Sequence, residues 1–290
     1  MTTATITRRK AADTTATVLV YAAMAVALIP LVWVLYSTVT LGFPALVKPE
    51  WWSQDMSASV ALIPGGGALH AIIGTLVQVF LTSLISVPIG LAVGVYLVEY
   101  WDGQGQLGKL TTFMVDILSG VPSIVAALFI YSAWIVLFGF TRSGFAVALA
   151  LVILMVPVIV RNTEEMLRVV PRDLREASYA LGVPKWKTIM KIVIPTALPG
   201  IITGIMLAVA RVMGESAPVL ILVGVTSGVN WNAFGGNQSS LPLFMLEMYK
   251  SGSTAPVLER MWGAALTLVI LIAVLNIAVS VISSKFSTKK

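Results

Sequence analysis

Six stretches of the chain are almost free of charge: residues 18–39, 71–98, 113–138, 144–160, 199–225 and 262–282. At ~1.5 Å of rise per residue, helices of this length match a hydrocarbon layer ~30 Å thick. Apolar residues run through them instead of alternating, and backbone in lipid must satisfy its own hydrogen bonds. The pattern therefore predicts an all-α polytopic membrane protein with six transmembrane helices. Polar residues return between 160 and 199. Positions 174–181 are rich in helix formers, Gly182 is a natural helix stop, and Pro184 begins a second helical turn. Pro195 and Pro199 mark the way into the next apolar run. Three domain segments follow: a frayed polar tail over 1–17, a single transmembrane domain over 18–284 with the polar hairpin at about 172–195, and a short tail over 285–290. Trp51 and Trp52 suit a membrane–water interface, and the spacing after Pro242 predicts a short interfacial helix.

Composition sharpens this picture. Fifty-eight per cent of residues are apolar, 11 per cent are charged, and the mean hydropathy is +0.93, far from a soluble domain. The net charge of +6 does not point to nucleic acid, because the cations flank apolar runs instead of sharing one soluble face. They act as topology signals. Fourteen Lys and Arg fall on the side that holds the termini and the 161–191 segment, and four fall on the other. That imbalance predicts cytoplasmic termini and a cytoplasmic hairpin. With no cysteine and one histidine, His70, read as interfacial, neither a disulfide framework nor a metal site is expected. Gly103 to Lys109 fits the first seven positions of a phosphate-binding P-loop, but Leu110 stands where Ser or Thr would hold magnesium. No strand precedes it, so nucleotide binding on this chain is rejected and no catalytic residue is assigned.

A few features stand out inside the apolar runs. Arg211 lies sixteen residues past Pro195, ~24 Å into its span, where a charge costs ~2.5–3.5 kcal/mol on insertion scales. Glu215 is four residues on, one turn away on the same face, so the two can neutralise each other, and Gly214, Ser216 and Pro218 between and after them loosen the helix. Either the two form a structural ion pair, or Arg211 offers charge and bidentate hydrogen bonds to an oxyanion. Asp116 and Arg161 sit at the same predicted level and can pair across helices, while Glu164 and Glu165 read as solvated or paired with Arg168. Gly120-Val-Pro122-Ser123 predicts a kink, and Gly90-x-x-x-Gly94 permits close helix approach.

The polar hairpin carries a recognisable spacing. Glu176-Ala177-Ser178 is followed after three residues by Gly182, and after nine more by Ile192-Val193-Ile194-Pro195. This resembles the cytoplasmic loop of ABC importer permeases, with Ser178 and Ile194 as its departures. The plain alternative is an amphipathic hairpin lying on the membrane surface. The segments 161–171, 210–218 and 118–124 narrow the resemblance to the A-type permeases of phosphate-specific ABC importers. The resemblance implies a type I ABC importer permease fold in the cytoplasmic (inner) membrane of a bacterium. It implies that Glu176, Ala177, Ser178, Gly182 and Pro184 couple to an ATPase, and that Arg161, Arg211 and Glu215 lie on a phosphate pathway, to which the expected pairing with Arg161 adds Asp116. The implied partners are a homologous C-type permease, two copies of the ATPase that holds ATP and Mg²⁺, and an extracytoplasmic phosphate-binding protein. A sulfate or molybdate permease, or a gradient-driven secondary transporter, remains the alternative.

Overall fold

A computed structural model describes residues 3–101 and 103–286. Those residues form helices and no strand. Helix α1 spans Thr3–Leu46, α2 Pro49–Ser53 and α3 Leu69–Val95, the last extended by a π-turn over Tyr96–Tyr100. α4 covers Gln106–Ser119, and α5 covers Ser123–Ile130 with a π-helical end at Tyr131–Leu137. α6 runs over Gly144–Val169, α7 over Arg172–Ala180 and α8 over Lys185–Thr188. A π-turn at Ile189–Val193 joins α8 to α9, Ile194–Met213; α10 (Ala217–Leu222), α11 (Leu241–Lys250) and α12 (Ala255–Phe286) complete the order.

The centre of the bundle is a seam of α3, α6 and α9 that small residues allow to close. A Cβ on Gly90 would meet Ile159 of α6 at 2.6 Å, and one on Gly94 would meet Thr163 at 2.7 Å. The predicted Gly90–Gly94 approach is therefore present. On the other flank Gly204 seats Asn162 and Gly200 seats Met166. These contacts rise together along α3 and α6 but run in opposite order along α9, so α3 and α6 are parallel and α9 is antiparallel to both. At the far end, a Cβ on Gly74 or Gly144 would strike Ser239 or Gln238, placing the 238–240 loop against the starts of both parallel helices.

That direction decides how the third apolar run crosses. α4 and α5 meet at 107°, with the break at Gly120-Val121-Pro122. The chain leaves α3 at one end of the bundle and starts α6 at the other, so the bent pair is the crossing between them. Five continuous helices and this broken pair make the six predicted spans. The predicted kink is in place, and it is close to a right angle.

Several boundaries differ from expectation. The polar segment read as a frayed tail is helical from Thr3 onward, continuing α1. The fourth span does not end at 160 but continues to Val169, because Thr163, Glu164 and Leu167 remain buried. The fifth begins at Lys185 and passes through both prolines, as the π-turn ahead of Pro195 absorbs the lost donor. It then stops at Met213, short of the predicted 225, and resumes as α10. Trp51 is buried against the protein, where its Nε1 donates to Thr267 Oγ1 at 2.9 Å, while Trp52 stays exposed. His70 is likewise buried, edge-on to the Phe244 ring with centroids 5.0 Å apart. The short helix after Pro242 exists as α11, capped by Ser240, but its first turn packs inward through Leu241, Leu243 and Phe244. Lys289 and Lys290 of the C-terminal tail lie outside the described residues.

Candidate functional site

Two constructions carry the chemistry. The first is the α7–α8 hairpin. Gly182 adopts φ +75°, which only glycine reaches without strain. The amide of Gly182 donates to Tyr179 O at 2.9 Å, and that of Val183 to Ser178 O at 3.2 Å. This double bond pattern satisfies the last carbonyls of α7 and reverses the chain. Pro184 then caps α8, accepting from Thr188 N at 3.1 Å. Ser178 is buried, and its hydroxyl lies 2.8 Å from that of Thr188, pinning α7 to α8. The Ala-to-Ser departure thus has a structural reason. Ser178, one of the expected coupling residues, faces the hairpin interior and shapes the hairpin from within. Glu176, Ala177, Gly182 and Pro184 are exposed. Around them Leu181 (83% exposed) and Trp186 (60%) present apolar surface that a free aqueous loop would hide.

Arg175 anchors the hairpin, a link the sequence did not reveal. Its guanidinium donates to Glu99 Oε1 at 2.8 and 3.1 Å, to Val170 O at 2.7 Å and to Leu167 O at 2.9 Å. The Glu99 carboxylate, in the π-turn that extends α3, is buried, so the pair is largely desolvated and its hydrogen bonds are charge-assisted. Movement of α7 is thereby tied to both α3 and α6.

The second construction is a cavity of about 310 Å³ at the two helix breaks, lined by Ser119 and Val121 on the α4/α5 elbow, by Pro157, Arg161, Asn162 and Glu165 on α6, and by Arg211 on α9. Arg211 sits in the last turn of α9, where the helix dipole favours a cation. The antiparallel register puts that turn level with the middle of α6. Arg161 is one turn beyond Pro157. Its guanidinium pairs with Asp116 on α4 and donates to Glu164 Oε2 at 2.7 Å. The predicted Asp116–Arg161 pair is therefore formed. Glu164 is buried, not solvated, and Arg168 also approaches it at 3.8 Å. A carboxylate three after one Arg and four before another on a helix is a visible pairing signal.

Glu215 does not neutralise Arg211. α9 ends at Met213, and Glu215 N–H turns back to Val212 O at 3.1 Å, so the two residues no longer share a helical face. Among the described residues Arg211 has no hydrogen-bond or ion-pair partner, and Glu215 lies outside the cavity lining. Asn162 Oδ1 is also buried without a partner. No group of three or more potential metal ligands occurs among the described residues.

Comparison with known proteins agrees with this geometry. Residues 86–288 match the family described as binding-protein-dependent transport system inner membrane component. The chain is 52% identical over 275 residues to the phosphate transport system permease protein PstA 1 of Mycobacterium tuberculosis (strain CDC 1551 / Oshkosh), covering 95% of this chain and 90% of that one. It is 36% identical to the PstA protein of Yersinia pestis, covering 96% of this chain and 92% of that one. Among solved structures, a bacterial ABC transporter for alginate import superposes with a TM-score of 0.65 at 13% identity, covering 97% of this chain and 100% of that one. The MetNI methionine ABC transporter superposes with a TM-score of 0.58 at 23% identity, covering 73% and 93%. These two support the fold alone. A helical bundle with a structured hairpin, one broken span and relatives of this identity over nearly its whole length belongs to the family of inner membrane components of binding-protein-dependent transport systems.

Proposed function

We propose that this chain is the A-type permease subunit of an ATP-driven importer that carries inorganic phosphate across the cytoplasmic membrane. The observation that carries it is the unpaired Arg211 guanidinium facing a cavity at the meeting of two broken helices. A charge at that depth is costly, and Arg175 and Arg260, by contrast, each donate four hydrogen bonds. An incoming oxyanion supplies the missing partner, and the guanidinium fork matches two of its oxygens. The phosphate named in its relatives supports the cargo. Arg161 stands ready on the opposite wall, held by Asp116 and Glu164. Phosphate binding at Arg211 competes with Asp116 for Arg161, and motion at the α4/α5 elbow exchanges one acceptor for the other.

The path is completed by a homologous C-type permease. Two copies of an ATPase, which hold the ATP and Mg²⁺, grip the exposed side of the α7–α8 hairpin, and both chain termini share its cytoplasmic side. An extracytoplasmic phosphate-binding protein delivers cargo opposite. Closure of the ATPase pair pushes the hairpin, and Arg175–Glu99 passes the push to α3. The test is ATP-dependent phosphate uptake by vesicles carrying the full complex. Arg211→Gln should abolish uptake while the ATPase still copurifies. Normal uptake by that variant would sink the anion-path role.

A further inference from the structure

Glu164 and Glu165 are neighbours in sequence with opposite fates. Glu164 turns inward and is neutralised by Arg161 and Arg168. Glu165 is exposed, lines the cavity with Arg161, Asn162 and Arg211, and has no hydrogen-bond or ion-pair partner among the described residues. α6 places Arg161 and Glu165 one turn apart on one face, across from Arg211 on α9. An uncompensated carboxylate in an anion path repels every anion that can only accept hydrogen bonds. It is tolerable when the anion itself carries a proton, since the anion's O–H then donates to the carboxylate while its other oxygens accept from the guanidinium. Inorganic phosphate keeps at least one proton at neutral pH; sulfate keeps none.

We propose that Glu165 is the specificity-determining residue of this cavity, accepting the proton-bearing oxygen of a protonated oxyanion and so admitting phosphate while excluding sulfate. The inference rests on the anion-path reading of Arg211 and supplies the discrimination that two arginines alone lack, because guanidinium groups bind either anion. A site built around a ligand's O–H rejects analogues without it strongly. Arsenate, protonated as phosphate is, belongs to the admitted class.

The experiment uses the complete complex in nanodiscs, with the binding protein omitted so that its own selectivity does not intervene. Radiolabelled phosphate binding is measured against competing arsenate or sulfate. In the wild type, arsenate should displace phosphate at comparable concentration, and sulfate only at ~100-fold excess or more. Glu165→Gln should shrink the sulfate disadvantage by ~10-fold or more with a smaller change in phosphate affinity, and Glu165→Asp should keep most of the exclusion. If Arg211→Gln removes phosphate binding yet Glu165→Gln excludes sulfate as the wild type does, the carboxylate's role is overturned and the path stands. If the wild type binds no phosphate, or Arg211→Gln binds it normally, the path itself falls and this inference with it.

Discussion

Arg175 and Arg211 are the same residue type in two opposed situations. Arg175 makes four hydrogen bonds, to one buried carboxylate and two backbone carbonyls. Arg211 is within a membrane-spanning segment and touches no acceptor among the described residues. The first geometry is what a charge needs to hold a structure together. The second is what a charge needs to receive something that arrives and leaves. A guanidinium already saturated cannot bind cargo, and one left open adds nothing to the fold.

The contrast can be broken at its stable end first. Arg175→Ala would leave Glu99 buried and unpaired, with an expected loss of ~3–5 kcal/mol of stability and weaker attachment of the ATPase. Thermal unfolding and copurification measure both, and Glu99→Leu with Arg175→Met should recover most of the loss. Arg211→Gln sharpens the other end: its melting temperature should match the wild type, with a change within ~0.5 kcal/mol, even though uptake is lost. A smaller effect is expected at the hairpin. Ser178→Ala removes one hydroxyl bond to Thr188 and should cost ~1 kcal/mol, read as a modestly lower melting temperature. The smallest concerns an acid that lacks an arginine altogether. Burial of Glu247 on α11, outside the spanning helices, pushes its carboxyl up to about 7, against a weaker opposing pull from Lys250. The folded state then holds a proton that the unfolded chain releases near 4.5, so this contribution is complete below about 4.5 and lost as pH rises through about 7. Melting temperature should fall over that window in the wild type and fall less in Glu247→Gln.

Local chemistry made much of this readable in advance. Gly182 marked the end of α7 because the turn needs a positive φ, and Gly120 with Pro122 marked the elbow because neither sustains a helix. Asp116 and Arg161 were pairable from depth alone. What escaped was whatever depended on where a helix stops or what lies beside it. Hydropathy ends the fourth span too early and leaves Glu164 either solvated or paired with Arg168, whereas α6 continues for two more turns and buries it between Arg161 and Arg168. A helix drawn straight through Gly214 paired Arg211 with Glu215, and the break at Met213 separates them. Glu99 and Arg175 are 76 residues apart, with no local pattern to join them. The hydroxyl of Ser178 looked like a drift from a motif until its partner ten residues on was in view.

The first helix has a consequence of its own. Its apolar stretch, Ala12–Leu46, has 35 residues and so measures ~52 Å along its axis. A bilayer core of ~30 Å crossed at a tilt of ~40° accommodates only about 26 of them. Roughly nine residues must therefore stand clear of the lipid as a rigid post. Because α1 meets α12 near its C-terminal end, at Gly42 and Ala45, with Thr38 buried one turn earlier, that post stands off the bundle like a mast stepped at deck level.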